Sequence, residues 1–222
     1  LEHGITVYHA DALSIHDNFI AECGNCIELR GWGQASKITD NLMGAGYKGY
    51  SIFAQNFGGL LINANNIFPR GTSSVTFKDV AKSTITGNRF HGFYPGLLVL
   101  EGACSENMIS SNHFLRDNEP WTLLIGVDNG LDDQFGILRI SGSNNSIIAN
   151  HISETVSLES IKPADKRPVI IRLISGNGNY IASNHIVAMA ELDAEASGAC
   201  FAAQVNALTG RDRRRKLDVV HV

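Results

Sequence analysis

Seven times along the chain an isoleucine stands three residues before an asparagine, and an apolar residue follows two places later. The segments are Ile15-His-Asp-Asn18-Phe-Ile20, Ile38-Thr-Asp-Asn41-Leu-Met43, Ile62-Asn-Ala-Asn65-Asn-Ile67, Ile85-Thr-Gly-Asn88-Arg-Phe90, Ile109-Ser-Ser-Asn112-His-Phe114, Ile147-Ile-Ala-Asn150-His-Ile152 and Ile181-Ala-Ser-Asn184-His-Ile186. The asparagines are spaced by 23, 24, 23, 24, 38 and 34 residues. Between them runs a second apolar alternation, in Cys26-Ile-Glu-Leu29, Ser51-Ile-Phe53, Val75-Thr-Phe77, Leu98-Val-Leu100, Ile137-Leu-Arg-Ile140 and Ile170-Ile-Arg-Leu173. Alternation with a period of two marks a strand with one buried face. Two or more short strands in a repeat of ~23 residues describe one coil of a parallel β-helix. The leucine-rich repeat has a similar length but needs a Leu-x-x-Leu-x-Leu pattern that is absent, and a propeller blade needs ~40 residues.

Stacking such coils at the ~4.8 Å strand spacing sets each isoleucine against its equivalents above and below. The repeated asparagine is expected at the turn, where it tolerates the left-handed conformation and bonds its neighbour in the next coil. It is read as structural. The fold expectation is therefore all-β, with parallel β-helix coils over residues 1–186. Loop insertions fall near 115–136 and 153–168, and an irregular or partly helical tail covers 187–222.

Composition narrows the function classes. The 222 residues are 44% hydrophobic and 18% charged, with a net charge of −4, which excludes a wholly disordered chain and gives no electrostatic footprint for nucleic acid. The basic run Arg211-Asp-Arg-Arg-Arg-Lys216 is read as a solvated segment. No apolar run reaches the ~18 residues of a membrane span. Of the four cysteines, Cys23 and Cys26 have the CxxC spacing but no second pair follows. All four, with Cys104 and Cys200, are expected as buried or turn residues rather than metal ligands.

The longer intervals mark where chemistry is sought, because solenoid insertions gather on one face. The first contains Trp121, Asp128, Asp132 and Asp133. Carboxylates accept sugar hydroxyls and an indole stacks on sugar rings, so this segment suits carbohydrate. A calcium loop or a plain acidic loop fits the same spacing. The second insertion is read as a surface loop. Three further carboxylates, Asp11, Glu22 and Glu101, stand beside the early coils. Glycosidic chemistry needs two carboxyl groups, one as acid and one as base. Eleven residues is half a coil, so spacing leaves open whether Asp11 and Glu22 face one another.

Several stretches carry a resemblance. Asp11-Ala-Leu-Ser-Ile-His-Asp-Asn18, Ile20-Ala-Glu-Cys23, Gly44-Ala-Gly-Tyr-Lys-Gly-Tyr-Ser51, Phe68-Pro-Arg-Gly71 and Asn88-Arg-Phe-His-Gly-Phe-Tyr-Pro-Gly96 are similar to the inulin fructotransferases. So are Glu106-Asn-Met-Ile-Ser-Ser-Asn-His-Phe-Leu-Arg-Asp117 and Asp128-Asn-Gly-Leu-Asp-Asp133. The resemblance runs from about residue 8 to 186. It implies a right-handed parallel β-helix that assembles as a homotrimer with active sites between subunits. It also implies release of a cyclic difructose anhydride from the end of inulin, without metal or cofactor. Carried over by motif, the catalytic carboxylates fall on Asp11 and Glu22. Glu101, Trp121, Asp128, Asp132 and Asp133 are the candidate substrate-binding residues.

Family members are longer and the match begins inside the solenoid, so N-terminal coils and their cap are expected to be missing here. A polymeric substrate implies action outside the cell. Three alternatives stay open. One is another β-helix polysaccharide lyase or hydrolase, although no outward Lys/Arg cluster of a pectate-lyase kind is present. The others are a non-enzymatic trimeric shaft and an inactive fragment.

Overall fold

The computed structural model describes residues 2–44, 49–69, 73–93, 96–117, 136–154, 169–188 and 219–221. Among these residues there is no helix, and the strands fall into three sheets. The first coil shows the plan. Strand β1 (His3–Asp11) lies in sheet 1, β2 (Ser14–His16) in sheet 2 and β3 (Phe19–Ala21) in sheet 3, and β4 (Asn25–Gln34) returns to sheet 1 beside β1. Every later coil repeats this circuit, and pairing between coils is parallel. This is the parallel β-helix that the repeat predicts. One strand departs from the pattern: Val219–His221 pairs antiparallel with Val169–Leu173.

The seven isoleucines form one unbroken column in sheet 2: Ile15, Ile38, Ile62, Ile85, Ile109, Ile147 and Ile181 are paired in register from coil to coil. In sheet 3 the second apolar position stacks Ile20, Met43, Ile67, Phe90, Phe114, Ile152 and Ile186 in the same way. Phe90 and Phe114 stack with centroids 4.4 Å apart. Sheet 1 adds columns through Ile27, Ile52, Val75, Leu98, Leu138 and Ile171. Complete burial of such a side chain stabilises by about 1.5–3 kcal/mol, so stacked identical columns supply the core without long-range diversity.

The asparagine ladder is present, but its turn geometry differs from the expectation. The left-handed residue is the one before each asparagine, at Asp17, Asp40, Ala64, Gly87, Ser111, Ala149 and Ser183, with φ between 54° and 65°. The asparagine contributes its side chain instead. Each one after Asn18 receives at Oδ1 both the backbone N–H and the Nδ2–H of the asparagine one coil earlier, as Asn88 gives to Asn112 at 3.0 Å each. Its own Nδ2 reaches a carbonyl of the previous coil, as Asn88 does to Ile62 at 2.9 Å. A second, shorter ladder runs Ser83, Asn107, Asn145 and Asn179 at the corner between sheets 1 and 2. It too follows left-handed residues, Lys82, Glu106, Asn144 and Gly178.

Candidate functional site

Asp11 ends β1 and pairs with Gln34, the last residue of β4. Glu22 follows β3 at the corner leading into β4, with φ 56°. Its N–H donates to the carbonyl of Gly44 in the next coil. The two carboxylates therefore flank sheet 1 on opposite edges. At the opposite end of β1 from Asp11, His3 pairs with Asn25, three residues after Glu22. The 10 residues of β4, bulged at Gly31, span at most roughly 30 Å at the strand rise and set Asp11 and Glu22 of one chain at opposite ends of sheet 1. An acid and base acting on one glycosidic bond sit about 5–10 Å apart. Between them the face carries the buried Glu28, which is ion-paired with Arg30 and lies 3.0 Å from His3.

Glu22 lines a groove of about 350 Å³ along the outer face of sheet 3. Phe19, Leu42 and Phe68 give it an apolar wall, and Asn66, Arg89 and His91 supply polar groups. Register explains the assembly. The residue after each ladder asparagine faces outward, which aligns Phe19, Leu42, Asn66 and Arg89 on adjacent strands. Arg89 donates to Asn66 Oδ1 at 3.4 Å and lies 3.3 Å from His91 Nδ1. His91 packs edge-on against Phe68, with centroids 5.0 Å apart. Burial, reinforced by the Arg89 charge and opposed by Asp117, holds the His91 imidazole below its usual range. A neutral imidazole, a guanidinium, an amide and a carboxylate around an aromatic wall are groups that bind a hydroxyl-rich ring. Sequence reasoning missed Arg89, His91, Phe68 and Asn66 as site residues. Their positions one and three places after the ladder asparagine were the available signal.

Glu101 pairs with Lys78 in sheet 1, on the fourth strand from β1, and joins neither carboxylate. Trp121, Asp128, Asp132 and Asp133 lie outside the described residues, as do residues 155–168 of the second insertion, Cys200 and the basic run. Cys23, Cys26 and Cys104 are buried free thiols, as expected for structural cysteines. Cys23 and Cys26 have their sulfurs 3.8 Å apart. Burial, with Cys23 adding to it, pushes the Cys26 thiol well above its ordinary range.

Residues 111–209 match the family model described as the beta helix repeat of inulin fructotransferase. Residues 1–129 match one described as periplasmic copper-binding protein (NosD). The DFA-I-forming inulin fructotransferase of Arthrobacter globiformis is 42% identical over 187 residues, which cover 84% of this chain and 46% of that protein. Among solved structures, the DFA-IIIase of Arthrobacter chlorophenolicus A6 in complex with GF2 is 63% identical, with a TM-score of 0.82. That match covers 90% of this chain and 46% of the other. The same DFA-IIIase in complex with DFA-III matches at 63% identity and a TM-score of 0.82, over 90% of this chain and 45% of the other. The chain thus spans about half the length of the relatives it matches. With 42% identity over 84% of the chain and a shared fold at a TM-score of 0.82, the chain belongs to the inulin fructotransferase family of parallel β-helix proteins.

Proposed function

We propose that this chain forms part of a fructan-cleaving transferase that releases a cyclic difructose anhydride from the end of inulin. Asp11 and Glu22 supply the acid and base, and the active site lies between copies of the chain in a homotrimer. The observation that carries the interface reading is the separation of the two carboxylates along sheet 1. A pair held at opposite ends of a 10-residue strand acts on one bond when each member comes from a different copy. A hydroxyl of the terminal fructosyl unit attacks the anomeric carbon of the penultimate unit from the side opposite the leaving chain. One carboxylate takes the hydroxyl proton, and the other, as a carboxylic acid, protonates the departing oxygen. Tethering of nucleophile to electrophile supplies the entropic advantage, and exclusion of water keeps hydrolysis from competing. A polymeric substrate fits a reaction outside the cell.

A second reading has its own support. The 63%-identical DFA-IIIase was solved holding DFA-III, so a ring-opening reaction on that dianhydride fits the same two carboxylates with water as nucleophile. Incubation of the protein with inulin and, separately, with DFA-III separates the two. A difructose anhydride from inulin, identified as I or III by chromatography, supports transfer. Linear product from DFA-III with inulin untouched supports ring opening. A solution mass measured alongside tests the trimer.

A further inference from the structure

The outer face of sheet 1 beside Asp11 is built around an exposed indole. Trp32 stands two residues before Gln34, the partner of Asp11, and is 59% exposed. Gly33 between them turns inward, where a Cβ would meet the ring of the buried Phe57 at 2.1 Å. Trp32 and Gln34 therefore point outward on the same side as Asp11, with the Trp32 and Asp11 α-carbons about 8 Å apart by strand geometry.

A lone exposed aromatic is common and proves little. Here the backbone is shaped to present it. The ladder between β1 and β4 shifts register between Tyr8 and Ala10. His9 is left-handed at φ 56°, and Gly31 opposite has φ 88°. A Cβ at Gly31 would fall 2.5 Å from the His9 ring, so only glycine lets the imidazole lie there. From that position His9 Nδ1 accepts the Trp32 N–H at 3.4 Å, and its ring sits 6.0 Å from the indole. Irregularities of this kind re-aim side chains and are enriched beside active sites.

We propose that Trp32 is the stacking platform of a sugar subsite next to Asp11, taking the apolar face of one fructofuranosyl ring of the fructan. The indole supplies the dispersion surface, while the Asp11 carboxylate and the Gln34 amide take ring hydroxyls. The ligand class is a neutral furanosyl unit, because a uronate would be repelled by Asp11. The inference rests on the carbohydrate reading of Asp11 above.

Trp32 and Trp121 are the two tryptophans of the chain. In a Trp121→Phe, Glu22→Gln background, emission therefore reports Trp32 alone while turnover is blocked. Titration with inulin is expected to shift or quench that emission saturably. In the otherwise unchanged protein, Trp32→Ala is expected to raise KM for inulin about ten-fold with a smaller change in kcat, and Trp32→Phe to restore most of it. Unmoved emission at saturating inulin, or a Trp32→Ala KM equal to that of the unsubstituted protein, overturns the subsite. Trp32→Ala that loses assembly with no KM change in the assembled fraction also overturns it, assigning the ring to a subunit contact. Asp11→Asn separates the two levels. Full activity in that variant removes the reading beneath the inference, whereas an inactive Asp11→Asn with a silent Trp32 removes the subsite alone.

Discussion

Asn112 and Asn150 are 38 residues apart in the chain and one coil apart in space, and the backbone N–H and the Nδ2–H of Asn112 both end on Asn150 Oδ1 at 3.0 Å. The loop between them leaves the stacking untouched, since Ile109 still pairs with Ile147 and Phe114 with Ile152. The ladder thus fixes register independently of interval length. Insertions are free to vary on the outside while the core repeats.

Removing one rung should be costly. Asn112→Ala takes the acceptor from the Asn88 backbone N–H and one of the three acceptors of its Nδ2, and it takes a donor from the carbonyls of Ile85 and Ser110. Asn88 is buried, and a buried donor left without its acceptor costs about 1–3 kcal/mol. Urea unfolding is expected to show that loss. Asn112→Asp, which keeps shape but removes the donors and buries a charge, should be at least as destabilised at pH 7. An unchanged midpoint in either variant would contradict the ladder's role.

The contrast between core and site explains what the residues made legible. Ile15 to Ile181 and Asn18 to Asn184 face the same surroundings in every coil, so selection for one environment writes one residue type seven times. The second ladder was hidden because its early positions carry Leu13, Ser36 and Leu60 before settling on Ser83, Asn107, Asn145 and Asn179. Asparagine tolerates the left-handed turn, yet the conformation belongs to Asp17 and its equivalents. Outward residues such as Arg89 and His91 repeat no pattern, and only the register of the finished coil shows them in one groove. Asp11 and Glu22 came from resemblance alone. Their separation depends on the 10-residue length of β4, which eleven residues of spacing do not reveal.

Arg116 and Glu154 form an ion pair between adjacent strands at 3.0 Å, with both side chains wholly buried. Glu154→Gln removes a charged partner of the buried Arg116 guanidinium. Glu154→Gln is expected to destabilise by about 3–5 kcal/mol, while the double change Arg116→Met, Glu154→Leu recovers much of the loss. Chemical unfolding of the three proteins tests this. A single variant as stable as the double one would contradict it.

His91 and His113 on the acid side, and Cys26 and Cys104 on the alkaline side, give the stability profile a shoulder at each end. The folded-state value of His91 lies below the ordinary 6.5, chiefly through burial. The unfolded chain therefore takes up that proton first, and stability falls as pH drops below about 6.5. The thiol of Cys26 moves the other way. Burial raises it above the ordinary 9.0, so the unfolded chain loses its proton first and stability falls as pH climbs past about 9. Urea midpoints from pH 5 to 10 should show both slopes. His91→Gln should reduce the acid slope and Cys26→Ala the alkaline one, with His113 and Cys104 supplying what remains, and a slope unchanged in its variant would refute the assignment. In the folded protein Cys26 should resist alkylation at pH 8.

The position of the two carboxylates yields a test that no single variant supplies. Asp11→Asn and Glu22→Gln are each expected to abolish turnover with the unfolding midpoint unchanged. When the acid and base come from different copies, some interfaces in an assembly made from both variants have an intact Asp11 on one side and an intact Glu22 on the other. For a cyclic assembly of equal, randomly mixed parts, about one interface in four is complete, so co-refolding should recover about a quarter of the unsubstituted activity. Carboxylates drawn from one chain would give no recovery at any mixing ratio. A recovered fraction that follows the product of the two variant fractions would identify the partners of the catalytic pair as neighbouring chains.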